Sequence, residues 1–302
     1  ADFKKYMNQY NVIHLDISSF WDSYKENIVE KITEYVYKDF RKEFGEELDY
    51  GERFSYVLMS VYQKTGIPFV IIIDEWDCVI RNSHDKNLVH KYLQFLHSLF
   101  KSEESKSFLA LAYITGILPI KKIVDESALN NFDEFTMLDA GRLVSFVGFT
   151  EDEVKTLCEK YRMDFEQVKK WYDGYCLGEC HIYNPIAVVN LVTKGKFKSY
   201  WSETGTYEAI VPLLNMDFEG LKTAIIEMLG GSRAEIDVSS FQNDMVSFAN
   251  RDDVLTYLIH LGYLGYDEDA EAAFVPNEEI RQELTKAIRR NAWDEMIQNQ
   301  RC

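Results

Sequence analysis

Phe69-Val-Ile-Ile-Ile-Asp74-Glu75-Trp-Asp77 is the stretch on which the reading of this chain turns. A run of apolar, mostly β-branched residues without polar alternation is what a strand buried on both faces of a parallel sheet needs. The run stops at two adjacent carboxylates, Asp74 and Glu75, with Asp77 close behind. Ligands of open parallel sheets bind at the carboxyl ends of the strands. In nucleotide hydrolases such a strand is the Walker B element. Its first acid holds Mg²⁺, usually through water, and the adjacent Glu polarises the attacking water. A buried strand ending in a solvated acidic turn gives the same string with no chemistry, so the motif needs support from elsewhere.

Working outward, Val12-Ile-His-Leu-Asp16 is a shorter apolar run that also ends on an acid, and Phe108-Leu-Ala-Leu-Ala-Tyr-Ile-Thr115 is a third. Phe135-Thr-Met-Leu138 is a weaker fourth. Helical patterns over about 21–44, 51–65 and 87–101 separate them. Strands alternating with helices predict right-handed crossovers and a parallel sheet, an α/β core over residues 1–146. Thr115-Gly116 places a hydroxyl and a tight turn at the tip of a strand beside the acidic one, as expected of a side chain that senses a γ-phosphate. A plain strand cap followed by a turn reads the same way.

Past Gly148 the pattern changes to helices, at about 151–160, 164–172, 185–193, 206–214 and 217–229, with breaks at Gly174, Gly178 and Asn184-Pro185. Thr150 and Glu153 have the spacing of a capping box. This gives a helical lid over 147–230. Residues 231–302 then read as helix, hairpin, helix, a winged-helix-like outline with an acidic wing, Asp267 to Glu271.

The 302 residues are 46% hydrophobic and 14% aromatic, enough to build cores, so a disordered chain is excluded. The formal net charge of -17 opposes bulk electrostatic binding to nucleic acid or an anionic membrane. The acidic wing would meet phosphates with like charge, so weak or no nucleic-acid binding is expected. Five cysteines make no disulfide framework. With no apolar run near the roughly 20 residues a bilayer requires, a cytoplasmic location is expected.

Ile73-Asp-Glu-Trp-Asp77, Tyr113-Ile-Thr-Gly-Ile117, Gly148-Phe-Thr-Glu-Asp-Glu-Val154, Trp171-Tyr-Asp-Gly-Tyr175, Ile182-Tyr-Asn-Pro185, Ser199-Tyr-Trp201 and Thr204-Gly205 follow one another in a recognisable order. Tyr257-Leu-Ile-His-Leu-Gly-Tyr-Leu264 and Val275-Pro-Asn-Glu-Glu-Ile280 close the series. Together they resemble the bacterial AAA-ATPase-like family, the "predicted AAA-ATPases", whose members often carry a PD-(D/E)XK nuclease-like domain downstream. The resemblance implies a P-loop NTPase core of the ASCE type, a helical lid and a winged-helix-like subdomain, with ATP and Mg²⁺ as cofactors. It implies Asp74 as the Mg²⁺-site acid, through water, Glu75 as the catalytic base and Thr115 as the sensor. The lid segment Tyr183-Asn184-Pro185 resembles one that abuts adenine in related signalling ATPases. Arg142, between core and lid, could reach a phosphate, or be an ordinary surface arginine.

One departure is large. No G-x-x-x-x-G-K-[ST] loop occurs; the only Gly-Lys pair is Gly195-Lys196, followed by Phe. The expectation is a piece of a longer polypeptide, inactive alone, whose partners are its own upstream P-loop segment and a downstream effector domain, with homo-oligomerisation open. The P-loop strand would lie between the strand ending at Thr115 and that at 135–138, leaving open edges and an empty cleft before Asp74 and Glu75. The function expected is an ATP-binding or ATPase-like regulatory module of a nuclease-like effector; the alternative is a non-enzymatic interaction scaffold derived from an NTPase fold. Cys176, Cys180 and His181 offer three metal ligands within six positions but no second pair, so loop cysteines beside a glycine turn are the better reading. The aromatics of Trp171 to Tyr175 and Tyr200-Trp201 read as core filling before base stacking.

Overall fold

The computed structural model describes residues 3–117, 129, 131–201, 207–239, 241 and 248–290. Thr204, Gly205 and Cys302 lie outside them. The chain divides into two compact units, Ala1–Glu134 and Phe135–Cys302.

In the first unit, β1 (Asn11–Asp16), β2 (Phe69–Asp74) and β3 (Leu109–Ile114) form a parallel sheet in that order, with the acid-tipped strand in the middle. Parallel neighbours need long crossovers. These are the helices Ile17–Tyr24, Ile28–Phe44 and Phe54–Thr65 before β2, and Cys78–Asn82, Lys86–Phe100 and Ser105–Phe108 after it. The long ones bury one stripe each: Ile28, Ile32 and Val36 on the first, Leu88, Tyr92, Leu96 and Leu99 on the later one. They join Ile13, Leu15, Phe69, Ile71 and Ile73 in one core. The α/β expectation for this part is met.

Two expectations are not. The strand β2 is not buried on both faces, because Val70 and Ile72 are only half-buried. The strand register aligns Val12, Val70 and Leu111 in one transverse row, and His14, Ile72 and Tyr113 in the next. Val12, Leu111 and Tyr113 are 61%, 56% and 47% exposed. The core gathers the alternate positions of the strands, so among the described residues this second face has no cover. Apolar content records that a face suits burial; it does not supply the cover. Further, residues 135–138 form no strand. Thr136 folds them into a turn instead, its amide donating to the Asp139 carbonyl (2.7 Å) and its hydroxyl accepting from the Leu138 and Asp139 amides. The strand expected across a gap from β3 is therefore missing, and among the described residues β3 pairs with β2 alone.

In the second unit, β4 (Phe149–Thr150), β5 (Tyr175–Leu177) and β6 (Cys180–Tyr183) make an antiparallel sheet in the order β4-β6-β5. The hairpin β5–β6 was not legible as strands; Gly178, at φ +62°, sits in its turn. Helices Glu151–Tyr161, Phe165–Tyr172, Pro185–Lys194, Tyr207–Leu214 and Leu221–Leu229 surround it in sequence. The capping box is present, with Thr150 and Glu153 exchanging hydrogen bonds. A third sheet orders β7 (Ala234–Glu235), β9 (Ala272–Phe274) and β8 (Gly265–Asp267); β7 precedes the helix Arg251–His260, and the β8–β9 hairpin follows it, before the helix Glu278–Arg290. Helix, hairpin, helix is thus the observed order, with β7 added.

The helical segment before residue 230 and the C-terminal segment interlock within this unit. Tyr175 Oη donates to the Gly262 carbonyl (2.6 Å), and Glu279 Oε1 accepts from the amides of Tyr200 (2.6 Å) and Trp201 (3.1 Å). Gly174, at φ +118°, lies so close to Pro276 that a Cβ there would collide with its carbonyl. Tyr172, Tyr200 and Tyr263 are fully buried, as core filling requires.

Candidate functional site

Three strands that end together put three side chains in one row. Asp16 pairs with Asp74 in the β1–β2 register, and Thr115 follows β3, its amide donating to the Ile73 carbonyl (2.9 Å). The Thr115 hydroxyl donates to Asp74 Oδ1, which also accepts from the Glu75 amide (3.0 Å). Asp74 is exposed. An exposed carboxylate steadied by a hydroxyl and an amide is a donor set suited to a hard divalent cation held through water. Asp74, Glu75 and Thr115, three of the residues singled out in the sequence, are therefore brought together at one strand end.

Asp16 stands beside them but turns its oxygens on its own helix. It accepts from Ser18 Oγ (2.6 Å), Ser19 Oγ (2.7 Å) and the Ser19 amide (3.2 Å), and these bonds, Ser18 first, hold its carboxyl below the usual range. Its apolar run ending on an acid, like that of β2, was the signal that could have marked it.

Beyond Asp74 the chain turns sharply. Glu75 has φ +53°, in the left-handed region uncommon for a residue with a side chain. Its carboxylate pairs with Arg81 Nη2, while Arg81 Nε donates to Asp77 Oδ2 (2.9 Å). Asp77 is fully buried and also accepts from the Ile117 amide (3.1 Å). The Trp76 amide donates to the Thr115 carbonyl (3.0 Å), and buried Tyr92 donates to the Trp76 carbonyl (2.7 Å). A Cβ on Gly116 would lie 2.5 Å from Trp76 Cδ1 and 2.7 Å from Asp77 Oδ1, so the glycine after Thr115 is a packing requirement of this loop. Arg81 escaped the sequence reading; its four-residue spacing from Asp77 on a short helix was the available signal.

The other expected site residues belong to the second unit. Arg142 is exposed, its guanidinium 5.7 Å from the centre of the Phe135 ring. Tyr183 is fully buried in that unit's core, and Asn184 caps the helix Pro185–Lys194 by accepting from the Ile186 amide (2.8 Å). Of that trio only Pro185 is exposed.

The second unit also gathers Glu151, Asp173 and His181, whose ligand atoms lie within 4.8 Å of one another. Its own cations fill it. Lys155 (2.6 Å) and Lys169 (3.0 Å) occupy both oxygens of Glu151 and pull its carboxyl down to about 2, while His181 Nδ1 lies 3.0 Å from both oxygens of Asp173. This is an ion-pair network holding β6 to the helix ends around it. Cys176 and Cys180 do not join it.

A parallel sheet whose middle strand ends in paired acids, with a hydroxyl reaching in from beyond the next strand, defines an α/β protein with a candidate site at the carboxyl edge. Residues 2–124 match the family described as Predicted AAA-ATPase, the family that the motifs resemble. The chain is also 28% identical over 168 residues to a protein of Azotobacter chroococcum mcd 1, titled "Uncharacterized protein in vnfD 5'region". That match covers 54% of this chain and 32% of the relative, so the chain spans about a third of the relative's length. No solved structure matches. No helix among the described residues is long and apolar enough to cross a membrane.

Proposed function

We propose that this chain is part of an ATP-binding, ATP-hydrolysing regulatory module within a larger bacterial polypeptide. The observation that carries the reading is the bond from Thr115 to Asp74, which joins the two sequence-predicted residues from different strands at one sheet edge. The core is read as of the P-loop NTPase type, with Asp74, Glu75 and Asp77 on the Walker B strand and its turn. When bound, Mg²⁺ neutralises phosphate charge and orders water. Asp74 would hold it through water, with Thr115 fixing the rotamer of Asp74, and Glu75 would accept a hydrogen bond from the attacking water. The residues present fit the metal and water half of such a site. The phosphate cradle is not among the 302 residues, and an upstream βα segment of the same polypeptide is the proposed source. The face with Val12, Leu111 and Tyr113 and the far edge of β3, both left without cover or partner among the described residues, are where it would dock.

The remaining assignments rest on the family resemblance and charge. The second unit is read as lid and winged-helix-like subdomain, and a nuclease-like domain as the regulated effector in the cytoplasm. With its acidic surface, this chain binds duplex DNA no better than about 10⁻⁴ to 10⁻⁶ M. A non-enzymatic scaffold is the second reading, favoured by the absence of G-x-x-x-x-G-K-[ST].

The test is hydrolysis by the full-length gene product. Glu75→Gln should keep ATP binding and lose roughly 10² to 10⁴ in rate. Equal turnover by the variant and the wild type removes Glu75 from the chemistry; no ATP binding by either protein selects the scaffold.

A further inference from the structure

Arg81 touches two carboxylates at once, one buried and one at the candidate site. We propose that Arg81 is a positioning residue that fixes the carboxylate of Glu75 for its work on water, with buried Asp77 as its anchor. The inference rests on reading the end of β2 as a nucleotide-hydrolysing site.

The geometry suits the task. The Glu75 side chain is 41% exposed and has three rotatable bonds, so without a partner its carboxylate would sample many positions. Water activation depends on holding the acceptor in one place. The Arg81 side chain is only 18% exposed and divides its planar guanidinium, Nε to Asp77 and Nη2 to Glu75. A lysine ammonium presents a point charge and no such fork. The anchor is itself tied down: Asp77 is fully buried and takes the Ile117 amide, two residues past Thr115. A single chain of bonds thus runs from the turn after β3 through Asp77 and Arg81 to Glu75. It fixes Glu75 against the same strand end that carries Thr115 and, through it, Asp74. A latch that withholds Glu75 until nucleotide arrives is the contrary use of the same ion pair. A buried, doubly bonded anchor favours a fixed arrangement over one that must open at each turnover.

The experiment uses the full-length polypeptide. Arg81→Met should lower kcat for ATP about 10- to 100-fold and leave KM within about twofold. Arg81→Lys should recover part of the loss, and Arg81→Met with Glu75→Gln should be no slower than Glu75→Gln alone. A crystal structure of Arg81→Met should show the Glu75 carboxylate spread over several rotamers. Since Arg81→Met strands the buried Asp77 charge, Asp77→Asn with Arg81→Met provides a variant that folds without it. Unchanged or raised kcat in a folded variant overturns the proposal, as does an additive loss in the double variant with Glu75→Gln. If Glu75→Gln itself keeps full turnover, the reading of the site fails, a result distinct from an inactive Glu75→Gln beside a fully active Arg81→Met.

Discussion

The two units put carboxylates to opposite uses. At the end of β2, Asp74 is exposed and the Glu75 side chain is 41% exposed, so both can meet a ligand. In the second unit Glu279 is 1% exposed and spends an oxygen on the amides of Tyr200 and Trp201. All three acids come from strings that stand out in the sequence, Asp74 and Glu75 before a turn and Glu279 in Pro276-Asn-Glu-Glu-Ile. The difference teaches that a distinctive motif can encode architecture as readily as chemistry. In the second unit the Trp171 to Tyr175, Ser199 to Trp201 and Val275 to Ile280 strings meet one another in a closed interior. In the first, the acidic string and Thr115-Gly116 meet at an edge that the described residues leave open.

The largest effect on that contrast comes from its glycines. Gly174→Ala would drive a Cβ into the Pro276 backbone at a φ that L residues rarely adopt. A cost of about 3 to 5 kcal/mol is expected, from overpacking and backbone strain together. Gly116→Ala meets side-chain atoms of Trp76 and Asp77 in place of backbone, and should cost less, about 1 to 3 kcal/mol. Denaturant unfolding of both variants measures the gap. If Gly116→Ala proves the costlier, the strand-end loop is as tightly closed as the second unit's interior and the contrast fails.

A smaller effect tests the sealed acid. Burial raises the Glu279 carboxyl from 4.5 to about 7, against the Tyr200 and Trp201 amides, which pull it down, and with Glu283 adding to the rise. A raised acid binds a proton in the folded state that the unfolded chain has released. Its favourable contribution is therefore complete below pH 4.5, drains as pH climbs toward 7, and is gone above that. Glu279→Gln keeps the acceptor oxygen and removes the titration. The stability of wild type relative to this variant should fall by up to about 3 kcal/mol between those limits. Urea midpoints of the two proteins across that range give the answer. A difference independent of pH would mean that Glu279 is hydrated and that the second unit opens there as the first does at β2.

Much of this was legible because local chemistry wrote it. The run Phe69 to Asp74 forms a strand on β-branched content, Asn184-Pro185 starts a helix, and alternation of strands and helices set the parallel sheet. The order of Asp74 and Thr115 along the chain placed their strands side by side. What could not be read depends on partners distant in sequence. Val70 and Ile72 look identical to Ile71 and Ile73, and only the packing of helices distinguishes the two faces. The strings Cys176-Leu and Cys180-His are too short and too polar at their ends to announce a hairpin; it exists because β6 lies between β5 and β4. Phe135 to Leu138 has strand-forming residues, yet Thr136 closes a local turn that outcompetes pairing. Glu279 was carried by the resemblance with no role, since its partners at 200 and 201 are far away in sequence.

The smallest effect sets a baseline for the second unit. Thr150 stands where β4 meets the helix Glu151–Tyr161; its hydroxyl accepts from the Glu153 amide while Glu153 Oε2 accepts from the Thr150 amide (2.9 Å). The motif is exposed, so water can replace much of what is lost. Thr150→Ala removes one half of the box and should cost about 1 kcal/mol, within the usual range for an N-cap. Because the cap acts locally on one helix start, its cost should add to that of Glu279→Gln to within about 0.5 kcal/mol. Single and double variants measured by denaturant unfolding decide it. A coupling above that margin would tie the helix start to the buried acid, and the sealed interior would then extend to the surface of the unit.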